Sequence, residues 1–207
     1  MARRNASVMA RNTKKQIKVI AGALKGRVLI YPPETALRPT MQRTREAIFG
    51  SLRSLGSLLE DAVFVDLYAA AGGIGIEALS RGARFVHFVE NDGDALACLR
   101  ANLERCGVGP DRCLVHPRDV MEFLGKCELF ENDAAIVYAD PPYESGQTRL
   151  LLEFFGGIDY AYAPLLIVEH RQNEVPEEDP PGLSRTKLKR FGQSWVSFFV
   201  PAGGERP

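Results

Sequence analysis

A chain of 207 residues with 45% hydrophobic and 25% charged residues has the size and composition of one α/β domain with a full core, and no stretch approaches the ~20 apolar residues of a membrane helix. The opening MARRNASVMARNTKK lacks the apolar segment of a secretory signal. Net charge is zero, yet residues 1–50 hold eleven Lys and Arg against Glu34 and Glu46, so a first quarter at +9 adjoins a remainder at −9 and favours a polyanionic partner.

In chain order, residues 1–16 read as a basic arm. IKVIAG (17–22) and GRVLIY (26–31) read as two short strands joined by a tight turn, closed by Pro32 and Pro33. Arg38-Pro39-Thr40 precedes a helical pattern with Met41, Ile48, Leu52, Leu55 and Leu59 on one face, and Thr40 is its expected N-cap. From there strands and helices alternate: strands at 62–67, 84–90, 112–116, 134–139 and 164–169, helices at 74–81, 92–106, 119–125 and 147–156. Two final strands, 183–190 and 194–200, form an antiparallel pair around Phe191-Gly192. Alternation of this kind implies a mostly parallel sheet with helices on both faces. The expected division is an arm (1–16), a hairpin and helix packed on the core (17–60), and the core itself (61–203). Cys98, Cys106, Cys113 and Cys127 contain no C-x-x-C pair, and His87, His116 and His170 show no ligand spacing near them. That pattern argues against a metal site and for free thiols in a reducing cytoplasm.

Asp66 closes the first strand of the alternating part, and AAAGGIG (69–75) follows. Small residues let the backbone approach a ligand, and free N–H groups of the next helix face the loop. Gly73-Ile74-Gly75-Ile76-Glu77-Ala78 matches the dinucleotide fingerprint G-x-G-x-x-A, with Glu90 at the end of the next strand where a ribose-binding acid belongs. The loop alone indicates a nucleoside-containing cofactor and leaves NAD and S-adenosylmethionine both open. Asp66 favours the second, because a carboxylate ahead of the loop repels a pyrophosphate but suits an ammonium and a cationic sulfur.

Asp140-Pro141-Pro142-Tyr143 follows the apolar run AAIVYA, at the carboxyl end of a strand, where open parallel sheets bind ligands. An aromatic amine is a poor nucleophile because its lone pair is delocalised into the ring. A carboxylate and a fixed carbonyl that accept its two hydrogens draw the nitrogen toward tetrahedral geometry and stabilise the charge developing on it. Prolines hold that carbonyl rigidly, and Tyr143 offers a plane for a base taken out of its stack. Asp179-Pro180-Pro181 serves as an internal control: Gly182 follows it, no strand precedes it, and it reads as a turn.

The stretches IAGALKGR (20–27), RPTMQRTREAIF (38–49), DLYAAAGGIGIEALSRGA (66–83), DPPY and KRFGQSWVSFF (189–199) resemble the RsmD family, bacterial 16S rRNA guanine-N2 methyltransferases, over about residues 17–200. The resemblance implies a class I S-adenosylmethionine-dependent methyltransferase fold: Rossmann-like, with a mostly parallel seven-stranded sheet, one antiparallel strand and an N-terminal β-hairpin. It implies S-adenosyl-L-methionine as cofactor, held by Asp66, Ala69, Gly72 and Gly75 at the methionine end, Glu90 at the ribose and Asp119 at the adenine amine. Asp140, Pro141, Pro142 and Tyr143 would hold the target guanine, the family's site being guanine 966. Arg38, Arg43 and Arg45 would contact RNA phosphates near the entrance, with Arg185, Lys187 and Lys189 extending that track from one face of a strand. The implied partner is 16S rRNA, free or in a small-subunit particle, in the cytoplasm without membrane or metal. The family usually has Gly-Ser where this chain has Ala70-Ala71, which puts loop geometry and affinity in question. The competing readings are a DNA adenine-N6 methyltransferase, an inactive methyltransferase fold that binds nucleic acid, and a nicotinamide oxidoreductase.

Overall fold

A computed structural model describes residues 15–35, 39–55, 59–126, 135–158, 164–175 and 178–203. A hairpin of β1 (Lys15–Lys18) and β2 (Val28–Tyr31) precedes α1 (Pro39–Ser54). Then come β3 (Val63–Leu67), α2 (Gly73–Ser80), β4 (Phe85–Glu90), α3 (Gly93–Cys106), β5 (Cys113–Pro117), α4 (Val120–Leu124) and β6 (Ala135–Ala139). Last are α5 (Gln147–Gly157), β7 (Leu165–His170), β8 (Leu183–Phe191) and β9 (Ser194–Pro201).

Strands β3 to β9 form one seven-stranded sheet in the order β5-β4-β3-β6-β7-β9-β8. Neighbouring pairs from β5 across to β7 are parallel, whereas β9 runs against both β7 and β8. This is the mostly parallel sheet with one reversed strand expected above. All five residues of β3 are buried, as a central parallel strand covered on both faces requires. Its period of two sends Phe64 toward the layer of Ile48, Ile76 and Leu99, and Val65 and Leu67 toward the layer of Phe123, Leu151 and Phe155. Asp66 shares the Phe64 face. Helix α3 is closed at both ends: the Asp92 carboxylate accepts the Ala95 N–H at 2.8 Å, and Gly107 takes φ 69° past the last turn.

Three local expectations give way. The hairpin strands are shorter and their connection, residues 19–27, is not a tight turn. Ile20 and Ala21 donate their N–H groups to the Glu77 carboxylate at 2.8 and 3.0 Å, while Ala23 and Leu24 donate to the Ser80 carbonyl and hydroxyl. Val19 still donates to the Arg27 carbonyl at 3.0 Å and accepts from the Gly26 N–H at 2.9 Å, and only beyond it does the loop leave the ladder to lie on α2. Thr40 lies within the first turn of α1 rather than capping it, because the helix already begins at Pro39, a residue suited to a first helical position. Met41 is 37% exposed, unlike Ile48 and Leu52, because it borders an open cavity.

A β-bulge between Arg185 and Lys187 separates the basic residues of β8. Arg185 pairs with Phe199 and Lys187 with Phe198, two neighbours that belong to opposite layers of the core. The expected single track of Arg185, Lys187 and Lys189 is thus divided. Arg185 sets its guanidinium over the Phe199 ring at 5.5 Å, and Lys187 reaches Ser54 on α1. Among the described residues no helix is long and apolar enough to cross a membrane, and no three potential metal-ligating side chains converge.

Candidate active site

Strand order reverses at β3, which has β4 on one side and β6 on the other, so the ends of β3 and β6 flank the crevice where such sheets bind ligands. The register pairs Asp66 with Tyr138 and Leu67 with Ala139. Asp140, the next residue, therefore emerges beside Tyr68 and the glycine turn. A cavity of about 850 Å³ opens there, lined by Asp66, Tyr68, Ala69, Ala70, Gly73, Tyr138 and Asp140 from the sheet ends and by Tyr31, Met41 and Arg45 from the N-terminal elements.

The turn alternates into left-handed backbone at Tyr68, Ala70 and Gly72, with φ of 59°, 47° and 82°. Ala69 donates to the Val89 carbonyl at 2.9 Å, and Ala70 to Glu90 Oε2 at 2.8 Å. Glu90 Oε1 accepts from Asn91 and Asp92, so this carboxylate organises the backbone of two loops. Gly72 and Gly75 leave room for side chains beneath them. A Cβ on Gly72 would stand 2.4 Å from Leu99, and one on Gly75 2.2 Å from the Phe88 ring. Both glycines thus let α2 close onto the sheet and α3.

Asp66 is 1% exposed and accepts the Gly75 N–H at 2.8 Å. Burial pushes its carboxyl up to about 8; the Gly75 N–H acts in the opposite direction, and the charge of Glu90 adds to the rise. A cation placed beside it would restore the charged form. Tyr138, in register beside it, donates to Glu169 Oε2 at 3.1 Å, and burial raises its phenol far above the ordinary range.

Asp140 is exposed at the cavity, Pro141 is buried, Pro142 is exposed and Tyr143 is half-buried. The segment is stitched to the turn that follows β7. Glu174 accepts the Glu144 N–H at 2.8 Å through one oxygen and the Arg171 N–H at 2.7 Å through the other. The Arg171 guanidinium lies over the Tyr143 ring, 4.8 Å from its centroid. Tyr68 donates to Gln147 Oε1 at 3.1 Å and joins the glycine turn to the start of α5.

Asp119 is exposed and caps α4, its Oδ1 accepting from Met121 and Glu122. Arg38 lies outside the described residues. Arg43 is exposed, but Arg45 is not at the surface with it: only 4% is exposed, and Nη2 donates to the Lys18 carbonyl at 2.8 Å. Residues two apart on a helix point about 200° away from each other. Arg45 shares the phase of Ile48 and Leu52, three and seven positions on, and that spacing was available in the sequence as the signal for its burial.

Several residues that hold the site were not singled out by the sequence. Glu77 pins the hairpin loop. Asn102 on α3 accepts the Ile30 N–H and donates to the carbonyls of Ile30 and Ala71, tying β2 to the turn. Glu174 and Arg171 position Tyr143. Glu77 fills a variable position of the glycine fingerprint and the others belong to no short motif, so no local pattern advertises their contacts.

The chain matches the family model described as conserved hypothetical protein 95 over residues 17–200. It is 35% identical over 165 residues to ribosomal RNA small subunit methyltransferase D of Escherichia coli strain K12, covering 78% of each chain. Its fold matches that of the yhhF protein of E. coli with a TM-score of 0.75 and 29% identity, covering 90% of this chain and 98% of the other. A magnesium protoporphyrin IX methyltransferase from Synechocystis with bound SAM shares the fold at a TM-score of 0.56 and 15% identity, covering 78% and 79%.

Proposed function

The chain belongs to the RsmD family of ribosomal RNA methyltransferases, and from that premise we propose that it methylates the exocyclic N2 of a guanine in 16S rRNA, with S-adenosylmethionine as donor. The carrying observation is that Asp66 and Asp140, at the ends of paired strands, line one cavity beside the glycine turn. The residues fit that donor. A buried carboxylate can pair with its ammonium, the small side chains of Ala69 and Ala70 allow close approach to the turn, and Glu90, at the end of β4, is assigned to the ribose hydroxyls. Gly72 and Gly75 keep the turn closed, and Asp119 is assigned to the adenine amine. S-adenosylmethionine supplies an electrophilic methyl group on a cationic sulfur.

The chain's own residues prepare the nucleophile. The Asp140 carboxylate accepts one hydrogen of the guanine amine. Pro142 already receives the Ser145 hydroxyl at its carbonyl, so the Pro141 carbonyl is assigned to the other hydrogen. Held this way, the nitrogen withdraws its lone pair from the ring, and its growing positive charge faces Asp140. Tyr143, backed by Arg171, gives the extracted base a plane to stack on. Arg43, exposed on α1, and Arg38 are assigned to flanking phosphates.

The test supplies a labelled methyl donor to unmodified 16S rRNA, both free and within small-subunit particles, and maps the product by mass spectrometry. Methylated N2 at guanine 966 is expected. Asp140→Asn should lower transfer by roughly 10²–10³-fold while leaving S-adenosylhomocysteine affinity within about threefold. Methyl transfer to adenine or duplex DNA alone, or full activity of the Asn variant, would overturn the proposal.

A further inference from the structure

We infer that Arg45 forms a carboxylate-binding subsite in the wall of this cavity and holds the α-carboxylate of the methyl donor's amino-acid portion. The inference rests on reading the cavity as the cofactor site and adds a residue to it.

Arg45 is 96% buried, and its Nε and Nη1 have no hydrogen-bond partner among the described residues. Only Nη2 is satisfied, by the Lys18 carbonyl at 2.8 Å. A guanidinium does not lose its proton in a protein, and donors left unpaired away from water carry a desolvation cost. A fold that keeps such a group in a cavity wall has a place for an anion. The acid nearest in sequence does not take that place, because Glu46 is exposed and accepts from Gln42 at 3.0 Å.

Neighbouring groups identify the anion. The Tyr31 hydroxyl abuts the backbone of Gly73, where an added Cβ would stand 2.1 Å from it, and this phenol feels the charges of both Arg45 and Asp66. A fixed cation and a buried acid thus occupy one cavity at the glycine turn. That pairing complements a zwitterion: ammonium toward Asp66, carboxylate toward Arg45. An RNA phosphate fits less well, since a backbone phosphate cannot follow the guanidinium into the wall, whereas Arg43 is open to solvent at the same helix.

The experiment titrates the full chain calorimetrically with two ligands that differ by one carboxylate, S-adenosylhomocysteine and its decarboxylated form S-adenosyl-3-thiopropylamine. The wild type should bind the first roughly 10- to 100-fold more tightly, the range of a buried charge-assisted bond. Arg45→Met should bring S-adenosylhomocysteine down to the amine's affinity and leave the amine within about threefold. Should the Met variant fail to fold by circular dichroism, Arg45→Lys replaces it and should narrow the gap without closing it. Equal binding of the two ligands by the wild type, or an unchanged gap in the folded Met or Lys variant, would overturn the assignment. Binding of neither ligand to the folded wild type would instead remove the cofactor reading of the cavity.

Discussion

Ala70 donates its backbone N–H to the Glu90 carboxylate at 2.8 Å while its own φ is 47°, in left-handed territory that a Cβ disfavours. The hydrogen bond fixes the turn, and the side chain works against it by roughly 1 kcal/mol. A glycine, which the family usually carries here, removes that strain. Ala70→Gly should therefore raise stability by about 0.5–1 kcal/mol, and Ala70→Val should lower it by more than that. Urea denaturation measures both. A glycine variant weaker than wild type would mean that the alanine methyl packs more favourably than its backbone suffers.

Asp66 should make ligand binding depend on pH. Its carboxyl is pushed from 3.8 to about 8 in the folded chain, so its contribution to stability is fully present below pH 3.8 and is lost as pH rises through about 8. Relative to wild type, Asp66→Asn should gain stability across that window. A cationic ammonium beside the carboxylate draws its pKa back down, so binding expels a proton. Affinity for S-adenosylhomocysteine should accordingly rise between pH 6 and 8, by at most tenfold per pH unit. Calorimetry in buffers of different ionisation enthalpy counts the proton directly. Proton uptake, or an affinity that falls over this range, would show that no cation approaches Asp66.

Glu77 is fully buried and accepts from Ile20, Ala21 and the Arg81 side chain, the last at 2.7 Å. Glu77→Gln turns an acceptor into a donor that faces these N–H groups, and leaves the Arg81 cation beside them. The expected loss is about 2–3 kcal/mol of folding stability. In hydrogen exchange, the amides of residues 20 and 21 should lose protection first. A variant with native stability and native exchange at those amides would show that the hairpin loop is held by other contacts.

The parts of this molecule that were legible beforehand are those written locally. Alternating apolar runs and their punctuation give the strand and helix succession, and Asp66, Glu90 and Asp140 are read from their positions at strand ends. Contacts that join distant segments leave no such trace. Ile20 and Glu77 are 57 positions apart, Ile30 and Asn102 are 72 apart, and Glu144 and Glu174 are 30 apart. Each satisfies a backbone N–H that lacks a ladder partner, a need that exists only once the elements have docked. The bulge at Arg185 escaped for a related reason: one additional residue inverts every later side chain, and nothing in a run of alternating charges marks it. Arg45 was readable by helical phase but was obscured by its type, since arginines are seldom interior.

Tyr31, on the second strand of the hairpin, lies against Gly73 and borders the chamber together with Ile17 and Val28. One boundary of the ligand space is therefore built by chain that precedes the Rossmann-like layers altogether. A protein trimmed to begin at β3 would lose that boundary and, with it, Leu29, Ile48 and Leu52 from the layer that covers Phe64 and Ile76, so the same segment encloses the ligand space and completes the core.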